Sequence, residues 1–244
     1  MALTKHGWEG VVLKAFGAKD FQVRAHGSRW ITEDYLRVDF TGRELLEAIG
    51  THPTAWIRVW FPTGVRGHQR AYTLVDPDPA SGTFSLEFAM HRGPAADWAR
   101  DAAAGDVLDV TIQGSAFRLP DPAPRRVHAV GDAAAVPGLN TLLDALGETP
   151  AVVFLEQQHE SDGGIPLRLR PQDSLVWIPR EDDGRRFVAE VSAAWAAGDH
   201  ALDPEQDFVW IASESSAFRH LSKELRSTHR MARDRVDALG YWRA

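Results

Sequence analysis

Leu119-Pro120-Asp121-Pro122-Ala123-Pro124 divides the sequence into two stretches that obey different patterning rules. Proline at every second position fixes φ and removes backbone donors, so this segment cannot join a regular ladder and reads as a boundary. Before it, apolar residues recur with a period of two. Leu36, Val38 and Phe40 alternate with Arg37 and Asp39. Ile57, Val59 and Phe61 alternate with Trp56, Arg58 and Trp60, until Pro62 and Gly64 end the run. Phe84, Leu86, Phe88 and Met90 alternate with Ser85, Glu87 and Ala89 after the turn-rich Asp76–Gly82, and Val107 to Ile112 adds another strand. Short alternating strands between Gly and Pro clusters imply an antiparallel sheet with one buried face. Gly93-Pro94-Ala95-Ala96-Asp97-Trp98-Ala99-Arg100 predicts a short helix, with Pro94 in its first turn and Gly105 as its C-terminal cap.

After the boundary the pattern changes. Apolar runs at Arg126–Val130, Ala151–Leu155, Leu175–Ile178 and Phe208–Ala212 alternate with helical segments at Leu139–Leu146, Arg185–Ala197 and Ser215–Arg230. Strand and helix in alternation imply a parallel sheet. The expected architecture is β barrel plus α/β: an antiparallel barrel over 1–122, then a nucleotide-binding-like α/β domain over 123–244.

Composition narrows the chemistry. The 244 residues contain no cysteine, which excludes disulfides, thiolate nucleophiles, iron–sulfur clusters and cysteine-based zinc sites, so redox chemistry requires a borrowed cofactor. A formal net charge of −7 argues against nucleic acid as a partner. Met1 to Gly10 carries Lys5, His6 and Glu9, and no segment is apolar enough to span a bilayer, so a cytoplasmic location is expected. The histidines lack metal-site spacing, and no Ser-His-Asp order stands out. The nine tryptophans read mainly as core residues; Trp242 sits beside Tyr241 at the chain end and must dock to be ordered.

Arg70-Ala71-Tyr72-Thr73 carries a guanidinium, an aromatic ring and a hydroxyl on a strand, with Arg70 and Tyr72 on one side. That set suits a flavin dinucleotide: the ring stacks, the guanidinium binds phosphate, and Thr73 or a backbone group reaches the ring edge. The same tetrapeptide also reads as a solvated strand face. Its context favours the ligand, because the next strand ends at His91 and runs into a helix start, where backbone N–H groups and small Ala95 and Ala96 admit a pyrophosphate. Downstream, Gly131-Asp132-Ala133-Ala134-Ala135-Val136-Pro137-Gly138 follows a strand and opens a helix, where a nucleotide phosphate would sit, although it is no G-x-G-x-x-G fingerprint. Trp210-Ile211-Ala212-Ser213-Glu214 is a second strand end of this type.

Taken in order, Gln69-Arg70-Ala71-Tyr72-Thr73, His91 to Ala99, Ala104-Gly105-Asp106, Gly131-Asp132 with Pro137, and Gly240-Tyr241-Trp242-Arg243 resemble the siderophore-interacting proteins. These are flavin-dependent ferric-siderophore reductases related to ferredoxin reductases. Gly10-Val11-Val12-Leu13, Ala55 to Pro62 and Phe154-Leu155-Glu156-Gln157 are similar to the siderophore-interaction domains of mycobacterial mycobactin importers. The resemblance implies FAD held by Arg70, Ala71, Tyr72 and Thr73, by the strand Glu87, Phe88, Ala89, Met90 and His91, by Ala95 and Ala96, and by Tyr241, Trp242 and Arg243. It implies NADPH or NADH as electron donor, against Gly131, Asp132 and Pro137, and ferric siderophore as substrate. It also allows fusion to, or association with, an inner-membrane ABC-type importer, which would put the chain at the membrane's cytoplasmic face. A flavin reductase with another acceptor and a siderophore-binding module without turnover are the alternatives. One departure stands out: only Arg92 separates His91 from Gly93, where the family has a longer Gly-containing loop, so Arg92 could replace lost backbone donors at the phosphate end.

Overall fold

In the computed structural model, which describes residues 19–50, 52–62, 68–112 and 117–243, the first part of the chain forms seven antiparallel strands. They are β1 (Lys19–Thr32), β2 (Tyr35–Thr41), β3 (Trp56–Phe61), β4 (His68–Thr73), β5 (Val75–Asp78), β6 (Thr83–Ala89) and β7 (Val107–Ile112). Their order in the sheet is β4-β3-β7-β1-β2-β6-β5. β4 and β5 stand at opposite edges, yet Leu74 alone separates them in sequence. A sheet whose two edges are tied by one residue must curl onto itself. The inner face carries the alternating residues read from the sequence, including Val38, Phe40, Ile57, Val59, Leu86 and Phe88, all essentially buried. Each such large side chain contributes about 1.5–3 kcal/mol by leaving water.

Two helices belong to this unit, α1 (Arg43–Ile49) and α2 (Pro94–Asp101). α2 packs Ala95, Ala96 and Ala99 into the core and sets the Trp98 ring 5.6 Å from Phe61 and 6.1 Å from Phe40. It ends earlier than expected: its C-cap is Ala102, not Gly105. Gly105, at φ 101°, serves instead in the turn before β7, where its N–H donates to the Ala25 carbonyl. Gly64 and Gly10-Val11-Val12-Leu13 lie outside the described residues.

The two compact units are Met1–Phe117 and Arg118–Ala244. The second holds a parallel sheet in the order β10-β9-β8-β11-β12, from β8 (Val127–Asp132), β9 (Ala151–Gln157), β10 (Ser174–Pro179), β11 (Phe208–Glu214) and β12 (Val236–Trp242). Its helices are α3 (Val136–Ala145), α4 (Arg185–Ala196) and α5 (Ser215–Ser227). β8 and β11 are buried along their whole length, as a strand covered on both faces must be. Three strands run past their apolar stretches, so Asp132, Glu156 and Glu214 all fall at the carboxyl ends of β8, β9 and β11. The order reverses between β8 and β11. That reversal is where open parallel sheets form their ligand crevice.

Gly131 permits the close approach of β8 to its neighbours. A methyl group added there would lie 2.5 Å from Ala135 Cβ and 2.9 Å from the Ala212 carbonyl oxygen. Because one of those atoms is backbone, Gly131→Ala must displace a strand, and it is expected to lower stability by about 1–3 kcal/mol. A reduced urea midpoint by circular dichroism checks this; an unchanged midpoint would refute it.

Candidate functional site

The curl of the first sheet brings β4 beside β6 and α2. Tyr72 turns inward, its ring centroid 4.6 Å from Phe88 and 5.8 Å from Phe61, and Phe88 lies 6.4 Å from Trp98 of α2. Burial pushes the Tyr72 phenol above its ordinary value, opposed by the positive charge of Arg70. Tyr72 therefore stays neutral and keeps its O–H to donate. Arg70, two residues earlier on the same side of β4, is exposed and donates to the carbonyl of its own neighbour Gln69 at 2.8 Å. Ala71 is also exposed, whereas Thr73 is buried.

Phe88 on β6 and Met90 just beyond its end are buried in the core, so a ligand could meet them only through backbone. Met90 N–H donates to the Asp34 carbonyl on the β2 side. By alternation, the N–H and C=O of Ala89 face the opposite edge. β5 pairs with that edge only at Ser85 and Thr83, leaving it without a paired strand further along among the described residues. Glu87 is held from β2: Tyr35 donates its hydroxyl at 3.0 Å and Arg37 its guanidinium at 3.4 Å. Exposed His91 and Arg92 then lead to Gly93, whose φ of 151° disfavours an L side chain, and into α2. The methyl groups of Ala95 and Ala96 face the core, so these residues offer an anion their backbone N–H groups, which have no intrahelical partner at this end. β4 thus packs beside both β6 and α2, and its exposed guanidinium and neutral tyrosine, with the open β6 edge and the α2 N-terminus, are groups that fit the ring and phosphates of a flavin dinucleotide.

In the second unit, the strand ends form a closed polar cluster. Asp132 is buried and accepts the Trp242 indole N–H at 2.7 Å and the Ala134 N–H at 2.9 Å. Burial pushes its carboxyl up to about 6 against these donors, and Glu156 adds to the rise. Glu156, also buried, accepts from Arg180 at 2.6 Å; burial raises its carboxyl too. The Arg180 guanidinium lies 5.4 Å from the Trp242 ring centroid. Glu214 accepts from the Ser216 hydroxyl. Ser215 fixes the tail by donating to the Trp242 carbonyl at 2.7 Å. Gly131 and Pro137 are buried within the same turn, and Arg243 is exposed.

Comparison with known proteins gives the family. Residues 22–115 match the model of the siderophore-interacting FAD-binding domain, and residues 124–244 that of the siderophore-interacting protein. The chain belongs to the siderophore-interacting protein family. Among its relatives, the mycobactin import ATP-binding/permease protein IrtA of Mycolicibacterium smegmatis is 32% identical over 97% of this chain and 27% of its own length. The chain thus spans about a quarter of that importer. Ferric vibriobactin reductase ViuB of Vibrio cholerae is 25% identical over 88% of this chain and 86% of its own. The siderophore-interacting protein SipS from Aeromonas hydrophila superposes with a TM-score of 0.76 at 20% identity, covering 92% of each chain. The fold is ferredoxin-reductase-like, a curled antiparallel sheet plus a five-stranded parallel sheet.

For this family member, sequence reasoning missed Glu156, Arg180 and Glu214 as members of one cluster. A signal existed. Each lies within two residues of the end of an apolar run of the α/β half, and residues at the carboxyl ends of parallel strands converge. What the sequence could not supply was the tail's path as β12, which places Trp242 over Asp132.

Proposed function

We propose that this chain is an FAD-dependent oxidoreductase that uses NADH or NADPH to reduce ferric siderophore of the mycobactin or carboxymycobactin kind. The observation that carries the reading is the meeting of Arg70, Tyr72, the β6 edge and the α2 N-terminus at one rim of the curled sheet. Arg70 and the N–H groups of Ala95 and Ala96 hold the phosphates, with Arg92 and His91 nearby. Tyr72 packs on the ring and Ala89 backbone groups reach its polar edge, while Thr73, Ala71 and the strand Glu87–His91 shape the wall. Tyr241, Trp242 and Arg243 join this set by resemblance alone. A bound flavin would supply hydride acceptance and one-electron release, chemistry that protein side chains do not provide. The chain's part is to position the ring and exclude competing contacts, with no side chain acting as acid or base.

Hard oxygen chelators hold ferrous iron more weakly than ferric, so reduction releases the metal and spares the ligand. Relatedness to an importer and to a ferric vibriobactin reductase supports this substrate class. No helix among the described residues is long and apolar enough to cross a membrane. The reading places the chain at the cytoplasmic face of the inner membrane, fused to or working beside an ABC-type importer.

The test is anaerobic. FAD-loaded protein is mixed with NADH or NADPH and ferric carboxymycobactin, and ferrous iron is trapped with a chromogenic chelator. Ferrous iron is expected to appear with donor consumption. Reduction of artificial acceptors alone would favour a flavin reductase with another acceptor. Chelate binding without electron transfer, even to chemically reduced protein, would favour a binding module.

A further inference from the structure

The reversal point between β8 and β11 is where a dinucleotide would place its pyrophosphate, on the backbone amides of the turn between β8 and α3 and of the start of α5. Here the chain's own carboxylates stand there. Asp132 takes the Ala134 N–H and the Trp242 indole N–H, and the Glu214 backbone N–H also faces it. Glu214, at the start of α5, faces the Ser216 hydroxyl and the N–H groups of Ser216 and Ala217. The glycine of the first turn gives no close approach to a ligand, because Ala135 and the Ala212 carbonyl fill that space. Both tail aromatics pack against this region, Tyr241 on the first turn of α3 and Trp242 on the end of β8. The Tyr241 hydroxyl comes within 3.2 Å of where a Gly138 side chain would begin, and Trp242 sits on Asp132 under Arg180. The third carboxylate, Glu156, already neutralises Arg180, the cation of the cluster.

We infer that this chain does not grip the adenine-nucleotide half of its electron donor, and that it takes hydride from reduced nicotinamides by recognising the nicotinamide end alone. The inference rests on the proposal that a reduced nicotinamide feeds the flavin. It has three consequences. NADH and NADPH serve about equally, because the 2′-phosphate meets no dedicated site. Reduced nicotinamide mononucleotide, which lacks the adenylate, serves about as well as either. ADP-ribose, which lacks the nicotinamide, neither binds nor competes.

The experiment follows flavin bleaching under anaerobic stopped flow in FAD-loaded protein. Second-order rate constants are measured for NADH, NADPH and reduced nicotinamide mononucleotide. They are expected to agree within about tenfold, a margin smaller than an adenylate grip provides. In parallel, thermal unfolding of the same protein is recorded with millimolar ADP-ribose and its 2′-phosphate, and no stabilisation is expected. A preference of more than about tenfold for a dinucleotide over the mononucleotide, or a saturable stabilisation by either ADP-ribose, would overturn the inference. Failure to take up FAD, or bleaching by none of the three donors, would instead defeat the proposed function on which it stands.

Discussion

Replacing Arg70 by alanine is expected to raise the dissociation constant for FAD by roughly 10- to 100-fold, the equivalent of about 1.5–3 kcal/mol for a hydrogen bond to a charged group. Arg70 is suited to the task because the fold spends it on almost nothing else. Its described hydrogen bond goes to the carbonyl of the adjacent Gln69, and the side chain is exposed, so truncation leaves the core untouched. The effect should therefore appear in flavin affinity and not in the unfolding midpoint. Arg70→Lys should recover part of the loss, since it restores charge without the fixed fork of donors. Tyr72 needs a gentler probe. Its ring packs against Phe61 and Phe88, so Tyr72→Ala would disturb the sheet interior, whereas Tyr72→Phe removes only the hydroxyl. Glu148, exposed in the second unit, provides the neutral control as Glu148→Ala. Fluorescence titration of FAD reads all four variants. An Arg70→Ala protein with unchanged affinity would remove the phosphate contact from the proposed site.

The parts of this protein that are legible in sequence are those where one physical effect dominates. Leu36, Val38 and Phe40 alternate cleanly because β2 is buried on one face and polar on the other. β8 and β11 read as continuous apolar runs because helices cover both faces. β1 escaped notice for the opposite reason. Over its 14 residues, Val23 and Ala25 are the buried positions, and the irregular pairing between Ala25 and Gly27 breaks the alternation that would reveal it. β12 is an edge strand with Leu239 exposed, so its composition resembles a tail. For the candidate site, Arg70 and Tyr72 could be put on one side of a strand from spacing alone. That Ala95 and Ala96 would turn their methyl groups into the core could not, since the orientation of α2 depends on Trp98 filling the space between Phe40 and Phe61. Likewise, Gly131-Asp132 reads locally as a phosphate turn, and only the three-dimensional arrival of Trp242 shows the aspartate already engaged.

The largest effect on stability is expected from Asp207, which precedes β11 and lies far from the flavin motif in sequence. Its buried carboxylate accepts both arms of Arg125 at 3.0 and 3.1 Å, His128 Nε2 at 3.2 Å, and the Asp203 N–H at 2.9 Å. Burial works against the charged form, but these donors win and hold the carboxyl well below the usual carboxylate range. Asp207→Ala leaves a fully buried histidine and a backbone N–H without their acceptor, while half-exposed Arg125 returns to water. The expected loss is about 2–5 kcal/mol at neutral pH. Asp207→Asn, which retains one acceptor oxygen, should lose less. The sign of the pH dependence follows from linkage: a carboxyl whose folded pKa is depressed stabilises above its unfolded value, near 3.9, and that stability is lost as pH falls through the folded value. His128 is present in both proteins; burial lowers its folded pKa and Asp207 holds it up, so in Asp207→Ala it is lowered further and keeps the gap wide as pH falls from about 6.5 to about 4. Comparing the two proteins at each pH cancels the opposite trend of Asp132, whose raised carboxyl pKa is common to both. Urea unfolding from pH 7 to pH 3 should therefore show a wide gap between wild type and Asp207→Ala that narrows below about pH 4. A gap that stays constant down to pH 3 would mean that packing, and not the ionised carboxylate, is what Asp207 contributes to the second unit.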